Sequence, residues 1–387
     1  MFPSHPGLRA IAAYYLFYYG FVGVFSPYWG PYLRALGVSM AMIGLMTSLP
    51  QINRIYAPAL WGWLADRTGR RSAILRLAGL GSLAGFSTLL FTQDADWMFA
   101  AILIASFFWS AALPQVEATT MSILKGDSGG YARLRIWGSV GFILATLAGG
   151  YFVDHWGVQA LPALVVGIMA GVAILAWFVP DAGASRKQEG SAGLREILYR
   201  REVMALLGGC LLIGAAHGLL MGFYSIHLDE HHVAKRAMGW LWSLGVVAEI
   251  GLFWCMTHLT GRFRLRSLYL FAMSVAVVRY LMIGWGADWM TVLVAAQLLH
   301  AFTFAVHHAV SIAYVHRFFG AAHRTQGQAL YIVFTFGIGG SLGTLLTGWF
   351  WNDLGGNWMF TMASLVSLLA LVICWRWLKD TAEALSA

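Results

Sequence analysis

The chain has 387 residues, of which 59% are hydrophobic and only 11% are charged, and its mean hydropathy is +0.68. Soluble domains contain about 25% charged residues, so this composition excludes a soluble enzyme and a disordered chain. A helix that crosses a bilayer needs roughly 20 apolar residues, so the chain can form about a dozen of them. The apolar runs are continuous rather than alternating, which disfavours a β-barrel.

Twelve apolar segments can be marked in chain order. The first begins near Leu8, is too long for the core of a signal peptide, and is expected to remain as the first span. One long polar stretch separates six segments from six, which predicts an all-α membrane protein with domains 1–180 and 203–387 and a cytoplasmic linker at 181–202. The predicted spans are 8–35, 39–65, 72–92, 97–124, 133–153, 159–179, 203–228, 237–259, 266–286, 289–316, 325–350 and 357–378.

Basic residues predict the orientation of these spans. Twenty of the 25 lysines and arginines lie at the termini or in the even-numbered gaps, whereas Asp94, Asp154 and Asp288 lie in gaps on the other face. By the positive-inside rule, both termini are cytoplasmic. The formal net charge of +8 therefore reflects topology, and nucleic acid is not an expected partner. All three cysteines lie in apolar runs, so no disulfide framework is implied.

The two halves of the chain repeat weakly. A shift of 195 residues aligns similar positions, namely Leu49, Arg54, Ile55, Arg71 and Ser72 with Leu244, Glu249, Ile250, Arg266 and Ser267. Because each half has six spans, both halves keep the same orientation, and the repeat predicts a pseudo-twofold axis along the membrane normal. Such repeats place the binding site between the halves near mid-membrane.

The gap between the second and third spans carries the strongest local motif, Gly-Trp-Leu-Ala-Asp-Arg-Thr-Gly-Arg-Arg at 62–71. A glycine at 62 would let helices approach closely, a glycine at 69 would form a tight turn, and an aspartate could pair with an arginine across a cytoplasmic gate. The motif resembles the loop signature of the major facilitator superfamily. The resemblance implies a gating role for Gly62, Asp66, Arg67, Gly69 and Arg70.

Five charged residues are expected to be buried within the predicted spans, away from the basic residues near the span ends, namely Arg54, Glu117, Arg135, Glu249 and Arg279. Each costs about 3 kcal/mol or more at the bilayer centre and is therefore expected to face a cavity or a partner. Glu117 and Arg135 lie on consecutive antiparallel helices that can bring them together. Three arginines against two glutamates leave one positive charge, which favours an anionic substrate unless Arg135 is solvated at the interface.

The tenth span carries three histidines. His300 and His307 are seven residues apart and are expected to share a helical face, whereas His308 is rotated from His307 by about 100°. The spacing is not that of paired metal ligands, so no metal is expected. The histidines could simply form hydrogen bonds between helices. A proton relay is the alternative, because an unperturbed imidazole has a pKa of about 6.5 and Glu249 and Arg279 lie on neighbouring helices.

The segment Tyr-Ala-Arg-Leu-Arg-Ile-Trp-Gly-Ser-Val at 131–140 resembles the phenylpropionate permease branch of the major facilitator superfamily and, more distantly, the lactose permease-type sugar–proton symporters. Further matches span almost the whole chain, at Pro27, Trp29, Arg54, Ala248, Glu249, Val277, Val278, Arg279, Gln297, Leu299, His300, Thr303, Phe304 and His308. The resemblance implies the major facilitator fold of two six-helix bundles, a monomer, and a bacterial inner membrane.

The resemblance also implies residue roles. The substrate residues would be Glu117, Arg135, Arg54, Tyr28 and Trp29, and the proton-coupling residues Glu249, Arg279, His300 and His308. Three departures weaken the carry-over. The acid at 117 is glutamate where this branch typically has aspartate, His307 is an additional histidine, and Thr303 stands where the sugar permeases have a glutamate.

The predicted function is proton-coupled symport of a small organic acid, for instance an aryl-propionate-like carboxylate, without a cofactor. A sugar or nucleoside symporter stays open, because residue 117 is glutamate. A drug–proton antiporter also stays open, although Ala145-Thr146 stands where antiporters of this superfamily carry Gly-Pro before Gly149-Gly150. An enzyme is not expected, since the chain has neither a phosphate loop of the GxxxxGK[ST] type nor an evident nucleophile–base arrangement.

Overall fold

The computed structural model describes residues 6–125, 127–181 and 194–379, and this part of the chain is helical without any strand. The extreme ends of the chain and most of the predicted linker lie outside it. The α-helices in chain order are α1 (Pro6–Ala35), α2 (Met40–Thr68), α3 (Arg71–Ser87), α4 (Ala95–Ile123), α5 (Ser128–Trp156), α6 (Leu161–Leu175), α7 (Leu194–Leu198), α8 (Arg201–Glu230), α9 (Lys235–Arg262), α10 (Leu265–Gly286), α11 (Met290–Ala301), α12 (His307–Ile332) and α13 (Gly340–Trp377).

Short irregular helices join or interrupt these elements. Two 3₁₀ turns, Thr88–Leu90 and Val158–Ala160, follow α3 and precede α6. Two π-helical segments, Phe302–Val306 and Val333–Gly339, stand between α11 and α12 and between α12 and α13. A π turn contains one extra residue and is common at functional sites. The helix run that carries the histidines is therefore not a regular α-helix.

The described residues include nine helices that are long and apolar enough to cross a membrane, which makes this a multi-pass membrane protein. The last of them runs over Met290–Trp377 and is divided by Gly320 and Gly355, whose φ angles are +59° and +75°. Only glycine adopts this backbone region without strain. Helix α2 has 29 residues, and adding it to the three parts of the last run gives twelve segments of spanning length.

Local caps explain where several helices begin and end. The Ser39 hydroxyl accepts the backbone N–H of Met42 at the start of α2, and Gly69 ends this helix in the left-handed conformation. At the start of α4, the Asp94 carboxylate accepts the backbone N–H groups of Asp96 and Trp97. These side chains satisfy amide groups that a helix end leaves without a partner.

The chain divides into two compact units. Unit 1 comprises the described residues of 1–187 with His232–Ser243, and unit 2 those of 188–231 with 244–387. The first nine residues of α9 thus belong to unit 1. The predicted boundaries at residues 180 and 203 stay predictions.

Each unit is held together by a close crossing of two helices. In unit 1, a Cβ atom on Gly141 of α5 would overlap the carbonyl oxygen of Leu16 on α1. In unit 2, a Cβ atom on Gly343 of α13 would overlap the carbonyl oxygen of Ala215 on α8. Helices in membranes associate through such small residues because lipid provides no hydrophobic drive to bring them together.

Candidate functional site

Glu117 and Arg135 lie together in unit 1. The Arg135 Nε atom is 3.9 Å from the Glu117 Oε1 atom, and the Tyr131 hydroxyl donates a hydrogen bond to the same oxygen at 3.2 Å. Arg135 also donates to the Tyr19 hydroxyl, and its guanidinium carbon lies 4.0 Å from the centre of the Tyr19 ring. The same guanidinium carbon lies 5.8 Å from the centre of the Tyr15 ring. We call Tyr15, Tyr19, Glu117, Tyr131 and Arg135 the unit 1 cluster.

Solvation and local packing define the unit 1 cluster. The side chains of Arg135 and Glu117 are 33% and 36% exposed, so this ion pair is only partly removed from solvent. Gly138 follows Arg135 by almost one helical turn, and a Cβ atom there would lie 2.6 Å from the Tyr19 ring and 2.8 Å from Arg135. Glycine at 138 therefore leaves the space in which Arg135 lies against Tyr19. Sequence reasoning missed Tyr19, because nothing in the pattern of α1 distinguishes it from its neighbouring tyrosines.

The other proposed substrate residues of unit 1 lie apart from this cluster or at its edge. Arg54 is exposed on α2 and interacts electrostatically with Tyr18 and Tyr19. Tyr28 is fully buried and donates a hydrogen bond of 2.6 Å to the Thr146 carbonyl on α5. Trp29 is also buried and stacks on Phe25. Tyr28 lies nine residues beyond Tyr19, or about 13 Å along the helix. Tyr28 and Trp29 therefore lie in the buried interior of unit 1 and do not join the cluster.

The loop motif between α2 and α3 is ordered by its own residues. Gly69 forms the predicted turn with a φ of +65°, and Asp66 pairs with Arg71 at 3.6 Å. The Arg67 guanidinium lies over the Trp63 ring, and Arg70 is exposed at the start of α3.

One physical reason offered for the motif is wrong. A Cβ atom on Gly62 would meet nothing within 4 Å in the described part of the chain, so close helix packing does not explain this glycine in the conformation observed.

Glu249 and His300 form a buried acid–base pair of unit 2. The Glu249 Oε1 atom lies 2.6 Å from the His300 Nε2 atom, and the two side chains are 14% and 11% exposed. Gly245 precedes Glu249 by one helical turn. A Cβ atom on Gly245 would lie 3.1 Å from the Gln297 Oε1 atom and 3.2 Å from the His300 ring. This small residue lets α9 approach α11 closely enough for Glu249 to reach His300.

Arg279 of α10 is completely buried beside this pair. Its Nε atom donates to the Ala296 carbonyl at 2.8 Å, and its NH1 group donates to the Thr303 hydroxyl at 3.2 Å. We call Glu249, Arg279, His300 and Thr303 the unit 2 cluster. The resemblance to the sugar permeases aligns Thr303 with a glutamate of those proteins. In this chain a neutral hydroxyl therefore contacts the arginine.

The histidines of the tenth span have different partners. The His307 Nε2 atom lies 3.2 Å from the Tyr269 hydroxyl on α10, whereas the His308 Nδ1 atom lies 2.8 Å from the Tyr331 hydroxyl on α12. The expectation that His300 and His307 share one face assumed a regular α-helix. The π-helical segment Phe302–Val306 changes the register between them, so their rings contact different helices.

Sequence reasoning also missed His217 of α8. Its ring stacks on His300 at a centroid distance of 6.0 Å and an interplanar angle of 10°. It lines a pocket of unit 2 with Thr303 and Phe304 of the first π-helical segment and Thr335 and Phe336 of the second. The sequence signal available for this pocket was the Phe-Thr-Phe that occurs at both 302–304 and 334–336.

A family model described as the MFS_1 like family matches residues 8–362. The chain belongs to this family. It is 27% identical over 94% of its length to the probable 3-phenylpropionic acid transporter of Escherichia coli, 96% of which is covered. It is 25% identical to the maltose permease of Geobacillus stearothermophilus, with 93% of this chain and 92% of that protein aligned.

Solved structures agree on the fold. The crystal structure of the nucleoside transporter NupG matches with a TM-score of 0.84 at 16% identity, over 97% of this chain and all of that one. A bacterial homologue of the lysosomal transporter Spinster matches with a TM-score of 0.74 at 14% identity, and 99% of each chain is covered. The family match identifies the protein as a major facilitator transporter and not an enzyme, and the solved structures share its all-helical fold.

Proposed function

We propose that this transporter is a proton-coupled symporter of a small organic acid with an aromatic or otherwise apolar body. The observation that carries the proposal is the buried Glu249–His300 pair, whose 2.6 Å separation allows one proton to be shared between the carboxylate and the imidazole. Support for the substrate class comes from similarity to the probable 3-phenylpropionic acid transporter over 94% of the chain.

The coupling proposal follows from the small number of charges that a buried site tolerates. Ionisable groups inside a membrane are costly unless they pair, and such groups mark proton pathways in transporters. Protonation of Glu249 changes the net charge of a cluster that also contains Arg279. Loading and release of one proton can therefore favour different conformations, provided that the conformations solvate this cluster differently.

The unit 1 cluster is a proposed hydrogen-bonding contact for the substrate. Its ion pair is long and partly exposed, and the hydroxyls of Tyr19 and Tyr131 offer further hydrogen bonds. Arg54, which is exposed nearby on α2, is a further proposed substrate contact. A partly solvated pair can exchange one of its own contacts for a ligand contact at low cost, whereas a desolvated pair cannot.

The transport cycle would follow alternating access, in which the substrate site opens to one side of the membrane at a time. The loop between α2 and α3 is the proposed gate, with Asp66 exchanging its contact with Arg71 for another arginine when the conformation changes. We also propose that the protein is a monomer in the bacterial inner membrane. Both termini are proposed to lie in the cytoplasm, because the basic residues of the chain concentrate in the gaps predicted for that side.

The decisive experiment is uptake of labelled 3-phenylpropionate into proteoliposomes under an imposed pH gradient. Wild-type protein should concentrate the acid when the outside is acidic, and Glu249→Gln should reduce this accumulation to that of protein-free liposomes. The same variant should still exchange labelled for unlabelled substrate, because exchange needs no net proton movement. Glu196→Gln, an exposed position on α7, is the matched control and should behave as wild type. Accumulation that survives Glu249→Gln would assign the coupling elsewhere.

Sugar or nucleoside symport is the second candidate. It is favoured by the 25% identity to a maltose permease over 93% of the chain and by glutamate at position 117. Antiport of drugs has weaker support, because the similarity to the multidrug resistance protein MdtG of Salmonella covers only 47% of the chain. Thermal stabilisation of purified protein by maltose, by nucleosides or by aryl acids separates these classes, since their chemistry differs.

A further inference from the structure

The positive charge of the buried Arg279 side chain is not balanced by a hydrogen-bonded carboxylate in the described part of the chain. Of the two glutamates predicted within spans, Glu117 lies next to Arg135, and Glu249 is joined to His300. The hydrogen bonds of Arg279 go to two neutral oxygens instead, on Ala296 and Thr303. Glu249 is near enough to attract Arg279 electrostatically, but its closest charged or titratable contact is the imidazole.

The guanidinium of Arg279 also has unused capacity. Its side chain is fully buried, and its NH2 group has no hydrogen-bond partner among the residues that the structure describes. The Nδ1 atom of the neighbouring His300 is buried without a partner in the same part of the chain. Buried polar groups are almost always satisfied, so the NH2 group of Arg279 indicates a missing acceptor. Because a guanidinium only donates, its missing partner must be a hydrogen-bond acceptor, and the strongest acceptor that an organic ligand offers it is an anionic oxygen.

The chemistry of the missing partner follows from charge and shape. A buried cation whose only hydrogen bonds go to neutral groups is costly, and an anion removes most of that cost. The planar fork of a guanidinium matches a carboxylate better than any other common organic anion of low charge. Thr303, which accepts from Arg279, also lines the pocket formed with Phe304, Phe336 and Tyr280. A carboxylate at Arg279 would therefore lie next to aromatic side chains.

We propose that Arg279 binds the carboxylate group of the substrate and that Arg135 does not provide this charge. The assignment rests on the proposed function in one respect, namely that the substrate is an organic acid. The unit 1 cluster, whose two charges offset each other, then supplies no net charge for the carboxylate. In this arrangement the substrate anion arrives close to Glu249, which favours the protonated form of Glu249. Substrate binding and proton binding thereby promote each other.

The test compares an acid with its uncharged amide. Purified full-length protein is titrated with 3-phenylpropionate and with 3-phenylpropionamide, and the Kd of each is measured by calorimetry. Wild type should prefer the acid. In Arg279→Gln the Kd for the acid should rise by about 10- to 100-fold while the Kd for the amide changes little, as expected for loss of a hydrogen bond to a charged group. Arg279→Lys, which keeps the charge but not the fork, should keep part of the preference.

Arg135→Gln is the matched comparison, because it also removes an intramembrane arginine. This variant should weaken the binding of the acid and the binding of the amide by similar factors, so the ratio of the two Kd values should stay unchanged. Thermal melts of all variants without ligand report on folding, and Arg279→Lys keeps the test possible if Arg279→Gln does not fold. The proposal is overturned if Arg279→Gln retains the preference for the acid, if Arg135→Gln loses it, or if wild type binds no acid.

Failure of this assignment differs from failure of the proposed function. An acid that binds through Arg279 but is not concentrated by a pH gradient would contradict proton-coupled symport and leave the carboxylate site in place. An acid that is concentrated by the gradient, with an acid preference that survives in Arg279→Gln, would do the opposite.

Discussion

The two units use the same helix-crossing device but differ in how they surround their charges. In unit 1, Glu117 and Arg135 are about one-third exposed, 3.9 Å apart and accompanied by tyrosines. In unit 2, Glu249 and His300 are largely buried and 2.6 Å apart, and a fully buried Arg279 lies beside them. Exposed pairs contribute at most about 1 kcal/mol, whereas breaking a buried pair costs about 3 to 5 kcal/mol.

This difference suggests a division of labour. A weak, hydrated pair can release its partner for a ligand, so the unit 1 cluster suits reversible hydrogen bonding to a substrate. In a desolvated pair the two groups hold each other strongly, and the change with the lowest free-energy cost is the gain or loss of a proton. Mutations can test this contrast. The first of them change the helix crossings, which both units contain.

The largest effect is expected at those crossings. Gly343→Ala and Gly141→Ala each place a methyl group against a backbone carbonyl of the facing helix. Both should lower the free energy of unfolding by between about 1 and 3 kcal/mol, which thermal melts in detergent can measure. Gly208→Ala, on α8 with no described atom within 4 Å of the added carbon, is the control and should not destabilise. Equal melting temperatures in all three variants would contradict the packing role.

The next effect tests the approach of α9 to α11. Gly245→Val should push the helices apart, because even one added carbon would lie 3.1 Å from Gln297 and 3.2 Å from His300. We expect uptake driven by a pH gradient to fall by about tenfold, a change equivalent to 1.4 kcal/mol. Gly251→Val lies on the same helix with open space around the added carbon and should transport normally. Equal uptake by the two variants would show that the close approach is not required.

A smaller effect is expected in unit 1 from Tyr19→Phe. This change removes the hydroxyl that accepts from Arg135 but keeps the ring against which the guanidinium lies. The KM for the acid should rise roughly 2- to 10-fold with little change in kcat, in line with one hydrogen bond. Tyr151→Phe, at an exposed position of α5, provides the comparison. A loss of kcat without a change in KM would place Tyr19 in the conformational step instead.

The smallest effect concerns stability. Glu117→Gln should change the free energy of unfolding by less than about 1 kcal/mol, since its ion pair is partly exposed. Substrate binding should nevertheless weaken, so thermal melts without ligand and Kd measurements would separate the two roles. A large drop in melting temperature would show that the unit 1 pair stabilises the fold and would remove the contrast with unit 2.

Much of the fold could be predicted from local patterns. Apolar runs and the polar break near residue 190 predicted an all-α membrane protein of two six-span halves, and the MFS_1 like family match confirms the superfamily. The acid–arginine spacing correctly predicted that Glu117 and Arg135 come together, because antiparallel neighbours with a short connection place them at similar depth. The glutamate of the eighth span and the histidine of the tenth were also recognised as candidates, although not as each other's partner.

Hydropathy and charge position are properties of single segments, so the sequence by itself determined the membrane class, the family and the short list of buried charges. The choice of partners was decided by tertiary structure alone. Gly245 brings Glu249 to His300, the π turn at Phe302–Val306 sends His307 towards Tyr269, and Arg279 is left with neutral acceptors. Such pairing depends on how helices rotate and cross, and those angles are determined by contacts between distant residues that no local pattern records.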